Sequence, residues 1–268
     1  MQNADLKLFV NMAIEIREII LNGPNYFLRN ASVINVIFGY HEKLLKVLLQ
    51  RPDGTDKWLL PIGYIKRIET IEEAASRTIE ARTKLKNLYL KQFKSFGKQT
   101  IWNEHLLSPI LNRWDSDSKL DSTNWLLDYF VSIGYYTLTE FSKVEPSGEY
   151  LNEECKWWKI NNIPEMMFDH RNIISEALKS LRIDINHFPI GIELLPQKFT
   201  LPEIHCLYET ILDRKLDYRN FSKKLIKTGI IIKLGEKRNI GAHRSPDLYI
   251  FNKENYQNKL DEGLVMTF

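Results

Sequence analysis

With 44% hydrophobic and 26% charged residues, and only 12 glycines and 10 prolines, the 268-residue chain is neither disordered nor fibrous, and it has room for one large domain or two ordinary ones. Cys155 and Cys206 are the only cysteines and stand at no metal-ligand spacing, as expected of a reduced, cytoplasmic protein. The formal net charge of +3 is unevenly spread: residues 198–259 hold 13 Lys/Arg against 7 Asp/Glu, the rest 24 against 27, so the C-terminal part is the one suited to a polyanion.

The first 22 residues repeat apolar side chains at helical steps (Leu6, Phe9, Ala13, Ile16, Ile20), interrupted by Asp5, Lys7, Glu15, Arg17 and Glu18. This predicts an amphipathic helix, neither a membrane span nor a signal peptide, ending at Asn22-Gly23-Pro24. The region 1–30 is expected to cap the fold or to form a dimer seam. "SVINVIFGYH" and "KLLKVLLQR" predict a hairpin turning near His41-Glu42, and a short strand follows the Asp53-Gly54 turn. Ile71, Ala74, Ala75, Thr78 and Ile79 predict a helix over residues 70–84, with a strand in "NLYLKQFKSFG". Residues 98–124 end in a polar Ser/Asp run and read as an insertion. "NWLLDYFVSIGYYTLTEF" predicts a strand buried on both faces, "CKWWKI" a shorter strand, and "DHRNIISEALKSLR" a helix capped by Asp169. His170 reads as a structural turn residue, not a catalytic base.

Gly63, Glu69, Arg77, Ile79 and Leu85 stand at the spacing of the Nudix box, G-x5-E-x7-R-E-U-x-E-E-x-G-U with U aliphatic, and the segment resembles it. In that family the helical glutamates hold Mg²⁺ or Mn²⁺ against a diphosphate. Here Thr78 replaces the glutamate after Arg77, Ala81 and Arg82 replace the paired glutamates, and Lys84 replaces the second glycine. A dication beside Arg82 would meet a like charge, so neither a catalytic residue nor a metal or other cofactor is expected. Glu69, Glu73 and Glu80 recur at helical steps and leave open a rebuilt metal site, hence the alternative of a working hydrolase of ADP-ribose-like nucleoside diphosphate derivatives.

The C-terminal third, "FPIGIELLPQKFTLPEIHCLYETILDRKLDYRNFSKKLIKTGIIIKL", resembles the winged helix-turn-helix of the Nudix-related transcriptional regulators, as do "NVIFGYHEKLLKVLLQR" and "IPEMMFDHRNIISEAL" elsewhere. The likeness covers nearly the whole chain and is closest to the sugar-responsive, arabinose-type regulators of Bacteroidetes. It implies an α+β protein: a Nudix-like α/β/α sandwich with a mixed sheet over 31–187, then a winged helix over 188–268. It also implies a homodimer on paired sites in double-stranded DNA, with an effector that is a pentose or an ADP-ribose-like nucleotide, a sugar or sugar derivative being the expected one of the two.

Read physically, Thr200 and Glu203 form a capping box for a helix striped with Ile204, Leu207, Tyr208 and Ile211. Asp217 caps a second helix that turns Phe221, Leu225 and Ile226 inward and ends at Gly229. Its first turn offers Arg219 and Asn220 to base edges, while Lys223, Lys224 and Lys227 suit phosphates. Two strands around a polar tip form a wing whose Lys237, Arg238, His243 and Arg244 are expected near the DNA backbone. For the effector, Arg82 and Lys84 suit a phosphate, and Tyr64, Trp102, Tyr135 and Tyr136 suit stacking on a sugar. A protein-interaction winged helix that never meets DNA is the remaining alternative.

Overall fold

The computed structural model describes residues 17–52, 55–100, 105, 108, 122–148, 154–187, 194–239 and 245–261. Residues 17–22 are helical. Trp125 Nε1 donates to Ile19 O and Ile20 O (3.1 and 3.2 Å), and Asn124 Nδ2 to Ile20 O (2.8 Å), so two side chains satisfy carbonyls that a helix end leaves open. The rest of the predicted N-terminal helix, and the Asp53-Gly54 turn, lie outside the described residues.

Strand β1 (Phe27–His41) begins inside the region expected to be helix-led and forms the predicted hairpin with β2 (Leu44–Arg51), pairing Phe38 with Val47 and His41 with Leu44. Glu42 and Lys43, at φ 51° and 61°, make the two-residue turn. Two left-handed residues match the right-handed twist of the strands, which is why so short a loop closes them. β3 (Ile62–Lys66) pairs with the start of β1, β4 (Leu90–Thr100) with β5 (Tyr129–Glu140), and β6 (Glu154–Lys159) with β2. The sheet order is β4-β5-β1-β2-β6, and β1 and β5 run parallel from Ala31↔Val131 to Tyr40↔Glu140. β4 continues through residues 98–100, three positions expected to belong to the insertion. Most of that insertion lies outside the described residues.

Helix α1 (Ile71–Thr83) covers one sheet face and α2 (His170–His187) the other. Val33, Ala74, Ala75 and Tyr135 pack under α1; Val36, Phe38, Val47, Tyr136, Ile173, Ala177 and Leu181 pack under α2. His170, at the start of α2, is buried, and its Nδ1 accepts the Leu60 N–H at 3.0 Å; burial pushes its pKa down to about 3.

The C-terminal part holds β7 (Phe199–Thr200), α3 (Leu201–Leu212), α4 (Tyr218–Lys227), β8 (Ile231–Lys237), β9 (Asp247–Phe251) and α5 (Lys253–Asp261), with the strands ordered β7-β9-β8. This is two helices and a wing, closed by a strand and a helix that the sequence pattern does not announce. Its core residues Phe199, Leu207, Tyr208, Phe221 and Leu225 belong to the same apolar cluster as Phe38, Leu45 and Leu181 of the sheet layer. Arg182 Nε donates to Ile211 O (2.8 Å) and Thr210 Oγ1 to Lys43 O (3.3 Å), so α2 and the β1–β2 turn both grip α3.

Candidate functional site

Helix α1 carries the frame of the box. Thr70 caps it by accepting the Glu73 N–H (3.1 Å), and the Glu73 carboxylate accepts the Thr70 N–H (2.7 Å). Glu69 Oε2 and Oε1 accept Arg77 Nε and Nη2 at 3.0 and 2.6 Å, and Oε1 also accepts the Lys66 N–H at 2.8 Å. Partial burial alone would raise the Glu69 pKa, but these donors outweigh it and hold the carboxyl below its usual value. Arg77 Nη2 further donates to Tyr64 O (2.8 Å), tying helix to strand. A Cβ at Gly63 would collide with Thr78 Oγ1, so the box glycine is what lets α1 lie this close to β3.

The acids that were to rebuild a metal site are already engaged. Glu69 holds Arg77, Glu73 caps the helix, and Glu80 pairs with Lys86 at 3.1 Å. Among the described residues no three His, Cys, Asp or Glu side chains gather as metal ligands would.

The proposed effector contacts fall in unexpected surroundings. Arg82 is 5% exposed, and its carbonyl accepts the Ser147 N–H (3.1 Å); it lies under a loop and not on an open face. Tyr64 packs among Phe27, Trp125 and Phe130, with ring centroids 4.9–5.8 Å away, so its ring belongs to an aromatic cluster. Tyr135 and Tyr136 are both buried. The Tyr135 hydroxyl donates to Glu72 (3.2 Å) and lies 3.4 Å from Gln92 Oε1; burial and the Glu72 charge push its pKa up to about 12. Tyr136 donates to Asp184 at 2.6 Å. Among the described members of the group only Lys84 is exposed, at the left-handed end of α1 (φ 61°). Trp102 lies outside the described residues. A separate cavity of about 450 Å³ opens at the junction of the two parts, lined by Tyr40, Glu140, Phe141, Leu195, Glu203 and Cys206, away from α1.

The winged-helix side is closer to expectation. Asp217 Oδ1 accepts the Asn220 N–H (2.7 Å) and caps α4. Phe221 and Leu225 are buried, while Arg219, Asn220, Lys223, Lys224 and Lys227 are exposed along one side. Ile226, expected inward, is exposed. Gly229, at φ 69°, stops the helix. On the wing Lys237 is exposed, but Arg238 departs from the expected free phosphate contact. Its Nη1 donates to Glu203 (2.7 Å) and its Nη2 to Lys198 O (2.7 Å), fastening the wing to the capping box of α3. His243 and Arg244 lie outside the described residues. Tyr218, His205 and Glu209 stand around the helix-turn-helix corner, where the one local sequence signal is an aromatic residue directly after the N-cap.

Residues 191–251 match the family model of the NrtR DNA-binding winged helix domain. Over 85% of this chain and 96% of the other, the fold superposes on Shewanella oneidensis NrtR, solved in complex with a 27mer DNA, at a TM-score of 0.64 and 22% identity. The chain has the NrtR fold. A MutT/nudix family protein from Enterococcus faecalis shares it at a TM-score of 0.57 and 18% identity, covering 85% of this chain and 88% of that one. The ADPR responsive transcriptional repressor NtrR of Acinetobacter baylyi is 24% identical over 232 residues, 84% of this chain and 83% of its own length. The NrtR fold joins a Nudix-like domain to a winged helix, as expected from residues 61–85 and 188–268.

Proposed function

We propose that this protein is a DNA-binding transcriptional regulator whose Nudix-like domain binds a small effector without hydrolysing it. The observation that carries the reading is the exposed row Arg219, Asn220, Lys223, Lys224 and Lys227 on a capped helix, within a segment that matches a DNA-binding winged helix family. The row has donors for base edges in its first turn and cations for phosphates after it. Loss of hydrolysis is supported by Thr78, Ala81 and Arg82 at three acid positions of the box, and by the internal engagement of Glu69, Glu73 and Glu80.

For the effector we favour an ADP-ribose-like nucleotide, because the Acinetobacter relative is an ADPR responsive repressor. Tyr64 and Tyr135, expected to stack on a sugar, are packed into the fold, which weakens the stacking argument for a pentose. A homodimer placing two α4 helices on a paired site is the assembly that such DNA reading requires.

The test uses duplexes that the protein selects from a random library, in band-shift titrations at several salt concentrations with ADP-ribose or arabinose added. Selected duplexes should bind with affinity that falls steeply as salt rises, and ADP-ribose, not arabinose, should change it. A lack of salt dependence removes the DNA reading. Arabinose as the active ligand replaces the effector, and Mg²⁺-dependent cleavage of ADP-ribose that Glu69→Gln abolishes restores the hydrolase.

A further inference from the structure

Helices α3 and α4 meet at a corner, residues 213–217, that is held from both sides at one residue. The Leu216 carbonyl is 3.0 Å from His205 Nε2, and the Leu216 N–H donates to Glu209 Oε1 at 2.9 Å. A carbonyl only accepts, so Nε2 must carry the proton. Glu209 Oε2 also takes Lys215 Nζ at 3.1 Å, and the backbone donor at Leu216, followed by Lys215, holds the Glu209 carboxyl below its usual pKa. His205 and Glu209 lie four apart on α3 and so reach the corner together.

The His205 ring then does a second thing. It meets Tyr218 edge to face, with centroids 5.2 Å apart and planes at 81°, and also meets Phe221 at 5.2 Å and 72°. Phe221 is buried, whereas Tyr218 is 42% exposed at the first residue of α4. The tyrosine is thus braced by a histidine that is itself fixed, and part of it stays open to solvent. Such a ring loses little rotamer freedom on binding and presents apolar surface to whatever docks there.

We propose that Tyr218 is a specificity-determining residue that reads a thymine methyl in the major groove, and that His205 is its positioning residue. This rests on the DNA-binding reading above. The first turn of a recognition helix is the part that reaches base edges, and the thymine C5-methyl is the one apolar feature those edges carry. Neighbouring Arg219 and Asn220 supply polar contacts; Tyr218 supplies the apolar one.

The experiment replaces each thymine of a selected duplex in turn by uracil, which lacks the methyl. At one position in each half-site the wild-type protein should lose affinity about fourfold, the worth of one buried methyl. Tyr218→Ala should lose nothing further there, and Tyr218→Phe should keep the full sensitivity. His205→Ala, confirmed folded by its melting curve, should bind with reduced thymine-to-uracil discrimination although Tyr218 is present. Uracil sensitivity in Tyr218→Ala equal to wild type at every position overturns the proposal. So does a Tyr218→Phe variant as weak as Tyr218→Ala, which would mean that the hydroxyl holds a phosphate. Full discrimination in His205→Ala overturns the positioning role. If the protein selects no duplex, the DNA-binding reading falls and this inference with it; selection without the methyl effect removes this inference alone.

Discussion

Helices α1 and α4 are both opened by a capping side chain and both rich in charge, yet their charges go to opposite places. On α1, Glu73 closes the cap, Glu69 clamps Arg77 from the preceding loop, and Arg82 lies buried. On α4, Arg219, Lys223 and Lys227 stand exposed. A charged side chain tied within its own fold supplies stability and little else, whereas one left to solvent is available to a partner. The contrast separates a helix whose charges serve its own fold from one whose charges face solvent.

Four changes break or sharpen that contrast. The largest effect belongs to Gly63→Ala, whose new Cβ runs into Thr78 Oγ1 and pushes α1 off β3; urea unfolding should show a loss of about 3 kcal/mol. The double change Gly63→Ala with Thr78→Ala should recover part of it, since the colliding atom is gone.

Next comes His170. Its native pKa of about 3 lies below the ordinary histidine value, so below about pH 6.5 the unfolded chain takes up a proton that the native state refuses. Stability should be full above that pH and fall by about 1.4 kcal/mol per pH unit beneath it. His170→Asn, which can still accept the Leu60 N–H, should flatten the slope between pH 6.5 and 4.5; an unchanged slope would mean the histidine titrates normally.

On α4, Lys223→Gln combined with Lys227→Gln should weaken binding to selected and random duplexes alike, by about tenfold at low salt, and should make the salt dependence shallower by about two ion equivalents per bound protomer. Unfolding should be untouched, because neither ammonium is part of the packed interior.

The smallest effect is at Glu69. Its lowered pKa means that its contribution is present above the usual carboxylate range and lost as pH falls through the native value. Glu69→Gln should cost about 1 kcal/mol near pH 7, discounted because Arg77 is half exposed, and should flatten the acid limb of stability below about pH 4. Effector binding should survive it.

Much of this architecture was legible in local pattern. The β1–β2 hairpin, the helix over residues 71–83, the α3–α4 pair and the wing all declare themselves by periodicity and turn residues within a dozen positions. What escaped depends on partners far along the chain. Arg238 looks like any wing cation until Glu203, 35 residues earlier, is seen to hold it. Tyr64 looks like a stacking platform until Trp125 and Phe130 close around it. Helix α5 does not show in the sequence pattern because "KENYQNKLD" has no apolar stripe; Asn252 starts it, accepting the Asn255 N–H at 3.1 Å. Arg82 stands at an acid position of the box pattern, but its depth is set by the loop carrying Ser147, which no helical period reveals.

The apolar cluster that runs from Phe38 and Leu181 into Leu207 and Phe221 makes one interior out of two folding motifs. Heat should therefore not take the halves apart in sequence: differential scanning calorimetry should record a single endotherm. A nucleotide seated in the N-terminal half should then protect amides of the C-terminal helices from deuterium exchange, although it touches none of them.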